Sequence, residues 1–352
     1  MTSTPPPSTW RGFASDNYAG IHPEVLAAIA EVNAGHQVAY GDDDVTAALD
    51  ETIRAHFGPD AVAFPVFNGT GANVVALQAM TRRWEAVVCA ASAHVNVDEG
   101  GAPEHGAGLK LWTIPTSDGK LTPQLIDTQA WGFGDVHRAQ PGAVTITEST
   151  ELGTVYSVDE IRAVADHAHR LGMRVHLDGA RLANAAAALG VTLRDLTTDA
   201  GVDVVSFGGT KNGAMLSEAV VVLNPEAAPG VDFLRKTSMQ LASKMRFISA
   251  QLLALLSNDL WHRNAMHSNA MAAELAARVS GLPDVVIARP VQANAVFAVL
   301  PPEVTARLQE RFRFYTWDQG TGEVRWMCSW DTTLEDVEAF AAAIADEVSV
   351  RA

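Results

Sequence analysis

The amino-acid sequence predicts an α/β fold: a large domain built on a mostly parallel, seven-stranded sheet, followed by a smaller C-terminal α+β domain. Three observations carry this. Short apolar runs alternate with helical patterns through most of the 352 residues. Several of those runs are continuously apolar, as strands buried on both faces are. After Pro225 the pattern changes to a long helical stretch followed by alternating strands. Strands that alternate with helices bury their apolar surface as a parallel sheet covered by helices.

In chain order, residues 61–66, 86–90, 109–114, 143–147, 174–177, 202–207 and 219–223 read as the strands of the large domain. Among the intervening helices, 158–171 is opened by Asp159-Glu160 and ended by Gly172. Residues 233–269 look mostly helical, 292–300 and 323–330 read as strands, and a helix over 334–348 finishes the chain. The expected organisation is a disordered tail (1–10), a large domain (11–260) and a small domain (261–352). The segment through Tyr40 can cross over to either domain. The tail is rich in Thr, Ser and Pro and lacks the apolar core of a signal peptide.

Composition narrows the function. The formal charge of −16, from 25 Lys+Arg against 41 Asp+Glu, argues against nucleic acid or an anionic membrane as partner. No apolar run is long enough to span a bilayer. Cys89 and Cys328 each sit in an apolar run and are expected to be buried free thiols, which fits a reducing cytoplasm.

Three motifs carry chemistry. Lysine is scarce, yet Lys211 follows a buried-strand pattern and is framed by Gly208-Gly209-Thr210 and Asn212-Gly213. A lysine just past a buried strand can reach a cavity, lose hydration and become a nucleophile toward carbonyls; this local pattern alone suits a solvated turn lysine equally well. Asp178, in His176-Leu177-Asp178-Gly179-Ala180-Arg181, ends a buried strand. Its carboxylate can hold a pyridinium nitrogen protonated, or it can cap the following Ala-rich helix. Phe67-Asn68-Gly69-Thr70-Gly71-Ala72-Asn73 leads from a strand into a helix, where backbone N–H groups and a hydroxyl suit a phosphate.

These segments occur in order with Ser15-Asp16-Asn17, Ala39-Tyr40-Gly41-Asp42, His94 ahead of Asp98-Glu99-Gly100-Gly101-Ala102-Pro103-Glu104, Asp135-Val136-His137, the run 148–153, Met245-Arg246 and Val324-Arg325. With them the chain resembles the threonine aldolase/β-eliminating lyase family of pyridoxal 5'-phosphate (PLP) enzymes. The resemblance covers most of the chain after the tail. It implies an aspartate-aminotransferase-type fold, that is, a PLP-dependent-transferase-like large domain. It further implies that Lys211 carries the cofactor, that Asp178 pairs with its ring nitrogen, and that Arg181 lies close to cofactor and substrate. Gly69 and Thr70 bind the phosphate, and His94 stacks on the ring. Ser15 and Arg325 take the substrate carboxylate, with Tyr40 near the site. His137 precedes the strand at Ala143 and is placed to reach the crevice from its loop; with His94 it is the candidate for handling a β-hydroxyl proton. The resemblance also implies a homotetramer, a dimer of dimers, with Arg246 near the phosphate of a neighbouring subunit.

The implied reaction is retro-aldol cleavage of L-threonine, L-allo-threonine and related β-hydroxy-α-amino acids to glycine and an aldehyde. An aryl-preferring L-phenylserine aldolase is the alternative. An aminotransferase or β-eliminating lyase would use the same lysine and aspartate but remove the Cα proton. Two departures bear on substrate choice and not on the cofactor. Thr210-Lys211-Asn212-Gly213 stands where many members carry Ser-Lys-Gly, and the 94–99 stretch resembles the branch that includes phenylserine aldolases.

No metal site is expected. Asp42-Asp43-Asp44 reads as the acidic opening of a helix. His167 and His169 point to different helix faces, and His262 and His267 lack ligand spacing. Phe312, Phe314, Trp317, Trp326 and Trp330 read as core.

Overall fold

The computed structural model describes residues 11–349, so the expected tail over 1–10 lies outside the described residues. Continuous apolar runs become strands wherever both faces are covered. These are β1 (Val62–Val66), β2 (Glu85–Ala90), β3 (Lys110–Ile114), β4 (Gln140–Thr147), β5 (Arg174–Gly179), β6 (Val204–Gly208) and β7 (Glu218–Val222). They form one seven-stranded sheet in the order β1-β7-β6-β5-β4-β2-β3. β2 through β6 pair in parallel; β7 alone runs antiparallel to both its neighbours, β1 and β6. Every residue of β6 and β7 is buried, which accounts for runs without polar alternation.

The helices of this unit are α1 (Pro23–Glu31), α2 (Asp44–Phe57), α3 (Gly69–Met80), α4 (His94–Val97), α5 (Pro123–Asp127), α6 (Val158–Arg170), α7 (Leu182–Leu189), α8 (Val231–Thr237) and α9 (Arg246–Leu256). Their ends follow side-chain chemistry. Ser157 and Glu160 form a reciprocal capping box at the start of α6: Glu160 N–H donates to Ser157 Oγ (3.2 Å) and Ser157 N–H to Glu160 Oε2 (2.7 Å). Asp43 caps α2 by accepting from Thr46 N–H at 2.8 Å, so the acidic triplet opens a helix. Among the described residues no group of three or more His, Cys, Asp or Glu could hold a metal ion. His167 pairs with Asp127 and His169 with Asp203, on separate faces. α3 packs against β5, β6 and β7, and α6 and α7 against β5.

The described residues divide into two compact units. One is Gly20–Met266; the other joins the described residues up to Ala19 to those from His267 on. α10 (Leu260–Val279) carries the chain across the boundary. The smaller unit holds β8 (Val286–Ile287), β9 (Ala295–Val299), α11 (Pro302–Gln309), β10 (Tyr315–Asp318), β11 (Glu323–Met327) and α12 (Leu334–Ser349). Its antiparallel sheet runs β10-β11-β9-β8. The N-terminal segment is threaded into this unit: Phe13 N–H donates to Arg313 O and Met327 N–H to Phe13 O. The Phe13 ring stacks on Phe340 at 4.5 Å. Phe314 and Trp326 are core, Phe312 packs against that core, and Trp317 meets Phe297 edge-on. β10 and the two-residue β8 were not anticipated: both are short edge strands, and β8 is too short to show a strand period. Both cysteines are buried free thiols. Burial pushes the Cys89 thiol up to about 12 and that of Cys328 upward as well. No helix among the described residues is long and apolar enough to cross a membrane.

Candidate active site

β1, β2, β4, β5 and β6 all end at one edge of the sheet, the carboxyl edge where α/β proteins place ligands. The residues that leave these strands are Asn68–Thr70, His94, the turn 148–151, Asp178–Arg181 and the glycine turn to Lys211. Glycines let the exits approach. A Cβ on Gly179 would lie 2.9 Å from Ser206 O, and one on Gly208 would lie 2.7 Å from Ala180 O. β5 and β6 can therefore deliver Asp178 and the Lys211 turn side by side. β4 is tied to β5 at the same edge, with Glu148 N–H donating to Asp178 O and Arg181 N–H to Glu148 O.

A buried polar chain occupies this edge. Asn73 Nδ2, in the second turn of α3, donates to Asp178 Oδ2 (2.8 Å) and to Glu99 Oε1 (2.8 Å). Glu99 Oε1 also bonds His94 Nδ1 at 2.9 Å, and His94 N–H donates to Glu151 Oε1 at 2.8 Å. Asp178 is 4% exposed; its other oxygen accepts from Ala180 N–H at 3.0 Å. A buried carboxylate held by neutral donors calls for a cation, and among the described residues no salt bridge supplies one to Asp178. The Glu99 hydrogen bond raises the His94 imidazole above its ordinary range. Burial opposes this, Asp178 adds to it, and Lys211 works against it. Burial raises the Glu99 and Glu151 carboxyls and raises Glu148 strongly. Beneath Asp178 on the same face of β5, burial lowers His176 to about 4. It is thus neutral between Thr145 Oγ1 (2.8 Å) and Ser206 Oγ (2.9 Å).

Gly69 and Thr70 are the first residues of α3. Asn68 caps the helix by accepting from Gly71 N–H at 2.7 Å. A Cβ on Gly69 would meet nothing within 4 Å, whereas one on Gly71 would collide with the Gln240 amide at 2.3 Å. The helix start is therefore open at Gly69 and walled at Gly71. Thr70 and Gly71 line a cavity of about 480 Å³ there, closed by Thr237, Ser238 and Gln240. Open N–H groups at a helix start suit an anion. A buried carboxylate at a strand end suits a protonated ring nitrogen, and a lysine from the next strand suits a carbonyl. The donor set fits PLP.

Not every expected residue gathers here. His137 lies apart from them. It sits exposed in the loop before β4, with its N–H on Asp135 Oδ1. A residue that precedes a parallel strand lies at the amino edge, and β4 runs about 23 Å to the carboxyl edge at ~3.3 Å per residue. His137 therefore does not reach the Asp178 cluster of its own chain. Tyr40 is half exposed, donates its N–H to Ser243 O, and has Lys236 Nζ 5.2 Å from its ring centre. Arg246 opens α9 and donates to Gly35 O at 3.4 Å. In the smaller unit Ser15 caps the turn Asp16–Tyr18, and Arg325 donates to the neighbouring Ala14 O at 3.2 Å, so these two expected residues do come together. Sequence reasoning gave no role to Asn73, Glu99, Glu151 or Glu218. For Asn73 and Glu218 the available signal was a polar residue in an otherwise apolar element.

The model of the β-eliminating lyase family matches residues 12–301. The chain belongs to the β-eliminating lyase family. Among relatives of this lyase, the low specificity L-threonine aldolase of Pseudomonas aeruginosa is 46% identical over 94% of this chain and 96% of its own. The enzyme of the same description from Pseudomonas sp. (strain NCIMB 10558) is 45% identical over the same shares. Among solved structures, a threonine aldolase of Leishmania major superposes with a TM-score of 0.90 at 31% identity, covering 96% of this lyase and 99% of that chain. The Oryza sativa TDC with PLP and tryptamine (TM-score 0.75, 16% identity, 99% and 90% covered) shares the fold alone.

Proposed function

We propose that this lyase is a PLP-dependent aldolase that cleaves L-threonine, L-allo-threonine and related β-hydroxy-α-amino acids to glycine and an aldehyde. The observation that carries the reading is the buried chain from Asp178 through Asn73 and Glu99 to His94, at the same sheet edge as Lys211. When bound, PLP supplies the electron sink for the pair released as the Cα–Cβ bond breaks. Lys211 Nζ is the nucleophile that holds it. Gly69 and Thr70 suit its phosphate through backbone N–H groups and a hydroxyl. The Asp178 carboxylate would keep the ring nitrogen protonated, and Asn73 holds that carboxylate in place.

The chain's own proton chemistry falls to His94. With Nδ1–H donated to Glu99, Nε2 is the lone-pair atom, and it takes the substrate's β-hydroxyl proton as general base. His94 also offers a flat ring for stacking. Arg181, three residues after Asp178, would lie close to cofactor and substrate. Ser15 and Arg325 carry a hydroxyl and a guanidinium, the donors a substrate carboxylate takes. Holding that carboxylate fixes the direction of the Cα–Cβ bond, the entropic part of catalysis. The enzyme works in the cytoplasm, which suits its two buried thiols, as a homotetrameric dimer of dimers with Tyr40 and Arg246 near the site, Arg246 that of a neighbouring subunit.

Product analysis tests the reaction. Threonine, allo-threonine and the phenylserine isomers should each give glycine and aldehyde in equal amounts, at rates that rank the substrates. Keto acid or ammonia instead would overturn the assignment in favour of transamination or elimination. Lys211→Ala should abolish the visible absorption of the isolated protein; a borohydride-resistant, wild-type-like band in that variant would remove Lys211 from its role.

A further inference from the structure

The turn that bears Lys211 is gripped from β7 by a residue with no role so far. Glu218 is the first residue of β7 and pairs with Gly208 on one side and Val66 on the other. The rest of β7, Ala219 to Val222, is apolar; a buried carboxylate in such a strand needs a chemical reason. Its Oε2 accepts from Gly209 N–H at 2.9 Å. Thr210 Oγ1 accepts from Ser217 N–H at 3.2 Å. The turn packs backbone against backbone here, since a Cβ on Gly209 would lie 2.5 Å from Ser217 O. The next residue is Lys211.

We propose that Glu218 is a positioning residue for Lys211: its carboxylate clamps the Gly209–Thr210 turn and places a negative charge beside the lysine nitrogen. This rests on the reading of Lys211 as the cofactor lysine. His94 from α4 is a further titratable group within reach of that charge, and both Lys211 and Asp178 act on it. Burial pushes the Glu218 carboxyl up to about 7, with Thr210 and then Lys211 drawing it back. Above that pH the charge is present and favours a proton on the lysine nitrogen; below it the charge is gone.

The experiment is a pH titration of the visible absorption of the isolated holoenzyme, for wild type, Glu218→Gln and Glu218→Asp. Gln keeps acceptor and length but removes the charge, so the proton on the lysine-linked nitrogen should be lost about one pH unit lower. Asp keeps the charge and should titrate within a few tenths of wild type. A Glu218→Gln titration equal to or above wild type overturns the proposal. If that variant does not fold, Glu218→Asp decides: a drop of a full unit there overturns it. Lys211→Ala, run beside them, separates the two readings. A chromophore that survives in it sinks the lysine assignment, whereas a lysine-dependent chromophore indifferent to Glu218 sinks only this inference.

Discussion

Glu99→Gln isolates the one interaction on which the proposed base depends. His94 Nδ1 and Glu99 Oε1 are 2.9 Å apart; the Glu99 side chain is fully buried, while 35% of the His94 side chain is exposed. Gln can still accept at Oε1, so the ring keeps its orientation and loses the partner's charge. A hydrogen bond to a charged group is worth about 1.5–3 kcal/mol and a neutral one about 0.5–1.5. The difference is about 1 kcal/mol, and solvent at the exposed part of the ring reduces it. At about 1.4 kcal/mol per unit, the His94 pKa should fall by roughly half a unit. The acid limb of the retro-aldol rate should move down with it, because the base works in its neutral form. The new amide also carries a cost. Glu99 Oε2 is buried without a hydrogen-bond partner, so the Gln NH₂ that replaces it would lose about 1–3 kcal/mol of stability. The sign for pH follows from the direction of the shift. His94 is raised in the fold, so the pair's contribution is present below the ordinary histidine value near 6.5 and disappears as pH rises through the raised one. On the acid side the pair discharges early, because burial raises Glu99 too. The assay is an NMR titration of the His94 ring, assigned with His94→Gln, beside the pH–rate profile. A His94 titration that stays put or moves upward in Glu99→Gln would refute the reasoning.

Other expectations follow from single contacts. Asp178→Asn keeps a hydrogen-bonding side chain against Ala180 N–H but removes the charge, so turnover should fall by two orders of magnitude or more, about 3 kcal/mol, with cofactor content little changed. Near-normal turnover at full cofactor occupancy would leave Asp178 a structural residue. Ser157→Ala removes half of the α6 capping box and should cost about 1 kcal/mol in denaturant unfolding, with catalysis unchanged; an unaltered midpoint would count against the box. Phe340→Ala empties the ring cluster formed with Phe13, Phe314 and Trp326. It should destabilise by about 3–5 kcal/mol, read as a lowered thermal midpoint; a loss under 1 kcal/mol would mean the site collapses or is poorly packed.

The central strands of the large sheet were legible because they are apolar runs covered on both faces, and Asp178 and Lys211 were legible because they stand at or just past the ends of such runs. His137 shows where distance in sequence misleads. It is three residues from a strand of the right sheet, but before it, and a parallel strand puts what precedes it at the far edge. That placement could have been read from the sequence alone. The Asn73–Glu99 contact could not, since 26 residues separate the partners and no periodicity links a helix interior to a loop after another strand.

The sequence by itself determined the local alternation of elements, the glycine-framed lysine, the strand-end aspartate and the family resemblance, because each is written in neighbouring residues. The tertiary structure decided what those residues meet. It set β7 antiparallel between β1 and β6, brought Glu218 under the lysine turn, threaded residue 13 between residues 313 and 327, and joined three segments through one asparagine amide. Such contacts depend on strand order and on which groups remain buried without water, and a buried polar atom takes its partner from whatever the fold brings within about 3 Å.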